Sequence, residues 1–147
     1  METVQKFTRK ACYYETDGMR IVHHSNYIRW FEEARIWWLD LIGFGYDKME
    51  DSGVMIPVLS VSCKYHSPVR FNDEFVIGLM ITEFTGVRFK VEYRLFNITT
   101  GNLSAEGEST HCFVSTDLRP LRTKNTHPKI YRIFKDATGR KDWFIDE

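Results

Sequence analysis

The stretch YYETDGMRIVHHSNYIRWFEEAR, residues 13–35, decides the fold because it joins a polar loop to a long amphipathic helix. Apolar side chains recur with the spacing of one buried helical face, at Tyr27, Trp30, Phe31, Ala34, Trp38 and Leu41. Ser25 or Asn26 is predicted to cap the start of this helix, and Gly43 is predicted to end it. We therefore predict one long helix with its apolar face in the core.

The loop in front of the helix contains one acid, Asp17, and two histidines, His23 and His24. A helix N-terminus offers unpaired N–H groups and favours negative charge, so it can stabilise the oxyanion of an acyl transfer. A carboxylate beside it can attack the acyl carbon or activate water. The simpler interpretation is that Asp17 stabilises the turn of its Thr-Asp-Gly loop.

Strand patterns dominate the rest of the chain. Alternating or continuous apolar runs predict strands over residues 5–15, 54–65, 74–84, 87–97 and 103–115. A Thr-Gly turn between the third and fourth strands predicts a hairpin, and small side chains on the fifth, at Ala105, Gly107 and Ser109, are expected to let the helix approach closely. Residues 44–52 are predicted to be a turn region, and a short helix is predicted after Pro120. This order favours an α+β fold, an antiparallel sheet around one helix.

The composition is that of an ordinary globular protein, with 147 residues, 43% apolar content and a formal net charge of +0. We expect a single domain over residues 1–147, with a core at about 5–118 and a C-terminal extension at 119–147. The balanced charge argues against nucleic acid as a partner. No apolar run approaches the roughly 20 residues of a membrane span, so a cytoplasmic location is expected.

The cysteines, Cys12, Cys63 and Cys112, are odd in number and far apart, which favours free thiols that pack as small hydrophobes. A catalytic cysteine would need a nearby base, and none of these three has one in the adjacent sequence. Close ligand spacings such as CxxC or HExxH are absent from the sequence, so a metal site has little support.

The string YxxTDxMxxVHHxNYxxWFExAR resembles the signature of the 4-hydroxybenzoyl-coenzyme A thioesterase group of hotdog-fold acyl-coenzyme A thioesterases. The resemblance continues at YHSPVRFND, residues 65–73, and covers roughly residues 5–118. It implies a hotdog fold, in which an antiparallel sheet of about five strands wraps around one long central helix. It also implies thioester hydrolysis without a metal or organic cofactor, and assembly into a homodimer or homotetramer.

Carried onto this sequence, the resemblance makes Asp17 the nucleophile or general base and the backbone N–H at His24 the donor to the thioester carbonyl. Tyr14 either donates its hydroxyl into the site or lies at the surface. The predicted substrate-binding residues are His23, Asn26, Arg20, Arg88 and Lys90. For Asn26, a supporting role in the loop is the simpler interpretation. Arg88 and Lys90 are predicted to meet the phosphates of coenzyme A, and the simpler interpretation is that they lie on a solvated strand face.

Arg20 departs from the family, which usually has glycine three residues after the acid. Glycine at such a position indicates a backbone with positive φ or a close approach to substrate. The predicted function is hydrolysis of an acyl-coenzyme A or acyl-carrier-protein thioester. The alternative is a non-catalytic acyl-thioester-binding protein, in which Arg20 blocks the productive geometry. A dehydratase on the same fold is a third possibility, although its chemistry needs a His–acid pair acting on a β-hydroxyacyl chain.

Overall fold

The computed structural model describes residues 6–145, apart from the side chain of Tyr46. Its longest helix, α1, spans Ser25–Leu41. Within the described range five strands form one antiparallel sheet in the order β1-β3-β4-β5-β2. Their bounds are β1 Phe7–Lys10, β2 Val58–Tyr65, β3 Glu74–Phe84, β4 Arg88–Asn97 and β5 Asn102–Cys112. The predicted α+β class and the predicted hairpin of β3 and β4 are confirmed.

One face of the sheet packs on α1. The predicted apolar face of the helix is buried except at Leu41, which is 37% exposed because it lies on the last turn, and Leu39 is buried instead. Phe31 stacks on Tyr93 of β4 with ring centroids 4.6 Å apart. A Cβ atom at Gly107 of β5 would lie 2.5 Å from the Phe31 ring, so glycine is needed for this approach. The predicted role of small residues on the fifth strand is confirmed here.

The N-terminal elements differ from the sequence prediction. β1 ends at Lys10, and residues 13–15 form a 3₁₀ turn where a continuous strand was predicted; Gln5 lies outside the described residues. The chain leaves the sheet because the Glu15 carboxylate accepts the Cys12 N–H at 2.8 Å and closes the turn. Neither residue predicted to cap the N-terminus of α1 does so, since α1 begins at Ser25 itself and the Ser25 N–H donates to His23 Nδ1 at 3.2 Å.

Three further predictions from the sequence were wrong. Residues 44–52 contain a short helix, α2 Tyr46–Asp51, where a turn region was predicted. β2 begins at Val58 because Pro57 has no N–H, which interrupts the ladder with β5; beyond the interruption Met55 and Val114 form an isolated bridge in the same register. β5 ends at Cys112, three residues early, because the same interruption separates it from Val114. The predicted C-terminal helix is confirmed as α4, Pro128–Ala137, which follows a single turn, α3 Thr123–Thr126. All three cysteines are free and half-buried.

The two edges of the sheet differ in how they are paired. Beside β3, β1 is short, and the C-terminal segment continues the edge: the Leu79 N–H donates to the Trp143 carbonyl and the Gly139 N–H to the Ile81 carbonyl, both at 2.8 Å. At the other end, β2 pairs with β5 and has no second neighbour within residues 6–145. No helix in this range is long and apolar enough to cross a membrane.

Candidate active site

A cleft of about 390 Å³ opens between the loop 16–22, the start of α1 and the end of β2. It is lined by Asp17, Ile21, Val22, His24, Tyr27, Tyr65, His66, Ser67 and Pro68. The structure therefore brings two of the three predicted catalytic residues, Asp17 and His24, to the same cavity, which Tyr14 does not line.

Asp17 begins a tight turn. Its N–H donates to the Ile21 carbonyl at 2.8 Å, and its carbonyl accepts the Arg20 N–H at 3.0 Å. Its Oδ1 atom accepts the Met19 N–H at 2.7 Å. The Oδ2 atom has no hydrogen-bond partner in the described part of the chain. One carboxylate oxygen is thus fixed by the loop, and the other is available to a substrate or a water molecule.

Arg20 has a φ of 66°, in the left-handed region that glycine adopts without strain. The family's usual glycine is therefore explained by the backbone of this turn, and the turn keeps that conformation with arginine in place. The Arg20 side chain is exposed and does not line the cleft. Placing a residue with a Cβ atom in this region costs about 1–2 kcal/mol.

His24 occupies the position just before α1. The Asn26 N–H donates to the His23 carbonyl at 3.0 Å, and the Tyr27 N–H to the His24 carbonyl at 3.3 Å. The Tyr65 hydroxyl also donates to the His24 carbonyl, at 3.1 Å, and burial raises the pKa of Tyr65 to about 12. The His24 N–H itself has no acceptor among residues 6–145. It is a free donor at the positive end of the helix dipole, as an oxyanion site requires.

Glu15 connects the loop to α1 through hydrogen bonds. Its carboxylate, 4% exposed, accepts hydrogen bonds from Arg9 Nη1 at 2.6 Å, the Cys12 N–H at 2.8 Å and Trp30 Nε1 at 2.8 Å. Burial by itself would raise the pKa of this carboxyl, but the Arg9 hydrogen bond, the other two donors and the Arg9 charge outweigh burial and lower it. The group is therefore ionised at neutral pH.

The Glu15 carbonyl adds a second set of contacts, accepting Asn26 Nδ2 and the His23 N–H, both at 2.9 Å. Asn26 is buried and points away from the cleft, consistent with a supporting role. The His23 ring accepts the Ser25 N–H and stacks on His24 at 4.2 Å. Sequence reasoning missed Glu15, because nothing in the local pattern distinguishes a buried acid from an exposed one.

The other predicted residues lie away from the cleft. Tyr14 is 80% exposed, and a hydrogen bond with Cys12 raises the pKa of its hydroxyl. Lys90 forms an ion pair with Glu108 at 3.0 Å, and Arg88 is exposed. Tyr65, in the cleft, pairs with Ala105 of β5, which in turn pairs with Leu95 of β4. Leu95 lies seven positions beyond Arg88, so Arg88 is about 24 Å along the strand from the cleft. The structure does not bring these two cations to the cleft of their own chain.

His66 is a cleft residue that sequence analysis did not assign, although it lies within the quoted YHSPVRFND string. Its Nε2 atom pairs with Glu106 Oε2 at 2.9 Å. The sequence feature that could have identified His66 is the Ser67-Pro68 break, which ends β2 and exposes the residues before it at the cleft.

A tight acid-bearing turn set against the free N-terminus of a helix wrapped by an antiparallel sheet defines the class of hotdog-fold thioesterases. Residues 13–137 match the family model of the thioesterase-like superfamily, and the chain belongs to this superfamily. The resemblance to the 4-hydroxybenzoyl-coenzyme A thioesterase group is thereby confirmed.

Relatives extend over most of the chain. A protein from Aquifex aeolicus, provisionally named an esterase, is 38% identical over 74% of this chain and 83% of its own. YneP of Bacillus subtilis, provisionally named an acyl-CoA thioesterase, is 30% identical over 91% and 97%. The crystal structure of DHNA-CoA thioesterase from Staphylococcus aureus superimposes with a TM-score of 0.84 at 26% identity, covering 89% and 88% of the two chains. The prediction of a thioesterase is confirmed at this level.

The Glu15 network predicts a pH-dependent stability. The folded-state pKa of Glu15 is lowered, so its contribution is present above the unfolded value of about 4.3 and is lost as pH falls below it. Glu15→Gln should lower the free energy of unfolding at pH 7 by about 2–4 kcal/mol. Thermal unfolding measured at a series of pH values between 7 and about 3 should show the difference in free energy of unfolding between the two proteins narrowing below about pH 4. Glu50→Gln, on exposed α2, is the control; a gap that stays constant with pH would contradict the assignment.

The positive φ of this turn predicts different effects on stability for two Arg20 variants. Arg20→Gly should raise the free energy of unfolding by about 1 kcal/mol because it relieves the left-handed strain. Arg20→Ala keeps the Cβ atom and should change it little. If Arg20 instead binds the phosphates of coenzyme A, both variants should raise KM for coenzyme A esters but not for a short thioester without the nucleotide. Three proteins of equal stability would show that the positive φ carries no cost.

Proposed function

We propose that this protein hydrolyses acyl thioesters of coenzyme A or of an acyl carrier protein, with Asp17 as the nucleophile or general base. The observation that carries this proposal is the shared cleft, in which a carboxylate oxygen and the His24 N–H are both without a partner among the described residues. The acyl-CoA thioesterase name of YneP supports the same substrate class. A cytoplasmic location remains a prediction from the sequence.

In the proposed reaction, the thioester carbonyl oxygen accepts the His24 N–H at the end of α1. Either Asp17 attacks the carbonyl carbon, expelling the thiolate and forming an anhydride that water then hydrolyses, or Asp17 removes a proton from the water that attacks. Both routes consume one water molecule and give a free acid and a thiol. A single oxyanion donor of this kind contributes on the order of 10²–10³ in rate.

The alternative of a non-catalytic binding protein depended on Arg20 blocking the productive geometry. The Arg20 side chain is exposed and outside the residues that line the cleft, and its backbone keeps the conformation expected of glycine. These observations favour the enzyme over the binding protein.

We also propose that the working unit is at least a homodimer, formed by pairing the β2 strands of two copies. Unpaired N–H and C=O groups on an edge strand are a template for another strand. Val58, Leu59 and Val61 of this edge are 51%, 48% and 44% exposed. Antiparallel pairing about a two-fold axis places the Val58 end of one β2 beside the Tyr65 end of the other. The cleft of each chain would then lie next to the second copy.

Asp17→Asn should lower turnover at least a hundredfold, because it removes both the negative charge and the basicity of the carboxylate, contributions of roughly 10²–10⁴. Thiol release from a panel of acyl-coenzyme A esters, followed with a thiol reagent, measures this effect. Asp51→Asn, on exposed α2, is the matched control and should keep full activity. Near-normal turnover of a folded Asp17→Asn protein would refute the assignment.

The oligomer proposal predicts a mass of at least twice 17.4 kDa by light scattering at micromolar concentration. Leu59→Lys should shift the protein toward monomer, because it places like charges opposite each other across the paired strands. Leu118→Lys replaces an exposed apolar residue away from β2 and should leave the mass unchanged. A fully active monomer would contradict the proposal.

A further inference from the structure

Two adjoining cavities of about 280 and 90 Å³ lie between α1 and β2, further along the helix from the cleft. Both are lined by Glu32, Arg35 and Val58. Most of the remaining walls are apolar, among them Ile28, Phe31, Ile36, Leu39, Val61 and Phe89. The smaller cavity ends on two hydroxyl-bearing side chains, Tyr93 and Ser109. This space resembles a binding site for a mainly apolar group with one polar point.

Arg35 is the charged group at that point. It is half-buried, and its Nη1 atom donates to the Tyr93 hydroxyl at 3.2 Å. No carboxylate in the described residues lies within 4.0 Å of its guanidinium, although Glu32 lines the same cavities. A guanidinium has five N–H donors, and the described residues accept one of them here. A half-buried cation with free donors and apolar surroundings favours a ligand with an acceptor oxygen.

A chain of short hydrogen bonds lies behind Arg35. Arg35 can only donate, so the Tyr93 hydroxyl accepts from it; Tyr93 Oη is also hydrogen-bonded to Ser109 Oγ, and Ser109 Oγ to His111 Nε2, both at 2.7 Å. Burial, together with the Arg35 charge, lowers the pKa of His111 to about 3, so the ring is neutral. Arg35 is therefore the charged member of this chain, and among the described residues Tyr93 accepts one of its N–H groups, which leaves the others to a ligand.

We propose that Arg35 binds an acceptor oxygen at the far end of the acyl group, so that the enzyme selects acyl groups ending in a carboxylate or hydroxyl over plain alkyl groups. This inference rests on the proposed thioesterase function. Arg35 follows His24 by eleven positions, about 16 Å along α1, so the oxygen must be separated from the thioester by an apolar spacer. The apolar walls of these cavities accept that spacer.

The test compares three coenzyme A esters of one chain length, ending in a methyl, a hydroxyl or a carboxylate group. The wild-type kcat/KM should favour the two oxygen-bearing esters by about ten- to a hundredfold, as expected for hydrogen bonds to a charged group. Arg35→Met keeps the length and apolar stem of the side chain, and the ratio should fall to about one. Arg35→Gln provides a second neutral variant if the first does not fold. Arg29→Met, on the exposed face of α1, should leave the ratio unchanged.

Two outcomes support the proposal and differ in chemistry. Loss of preference for both oxygen-bearing esters indicates a hydrogen bond, and loss for the carboxylate alone indicates an ion pair. Equal wild-type kcat/KM values for the three esters, or a preference for the carboxylate ester that survives in Arg35→Met and Arg35→Gln, would overturn the proposal. Failure of the thioesterase function itself would look different, because the wild-type protein would then hydrolyse none of the three esters.

Discussion

The buried carboxylate of Glu15 is the interaction on which the rest of the site depends. A desolvated charge is costly unless it is fully paired, so this group requires its donors from β1, the 3₁₀ turn and α1 at once: Arg9, Cys12 and Trp30. Its carbonyl holds the segment just before the helix. The loop that carries Asp17 leaves this anchor and returns to it, which fixes the acid against the start of α1.

The two edges of the sheet differ in how their backbone groups are paired. Beside β3, the C-terminal segment pairs with the strand edge, and Trp143 packs on Trp38. On the side of α1 and β2, the described structure leaves three kinds of group unpaired: the His24 N–H, the outer edge of β2 and most donors of Arg35. Unsatisfied donors beside cavities are expected where a substrate or a second subunit completes the structure. The proposed oxyanion site, dimer edge and acyl-end site thus lie together on the side of α1 and β2.

Sequence periodicity was sufficient for the elements whose partners are local. The apolar face of α1 and the hairpin of β3 and β4 followed from spacing alone, and the resemblance supplied Asp17 and His24. Contacts with distant partners were not predictable, such as the hydrogen bond from the Leu79 N–H to the Trp143 carbonyl. The same holds for the hydrogen bond between Arg35 and Tyr93, which are 58 positions apart. Local pattern carries no information on which buried polar groups will meet.

The most direct test of the proposed active site is a crystal structure with an acyl-coenzyme A analogue in which a methylene group replaces the thioester sulfur, so that it cannot be hydrolysed. The ketone oxygen should lie about 2.7–3.1 Å from the backbone nitrogen of His24. The unpaired Oδ2 atom of Asp17 should face the carbonyl carbon, directly or through one water molecule. A carbonyl group bound away from the start of α1, with the His24 N–H still unoccupied, would contradict the proposed active site.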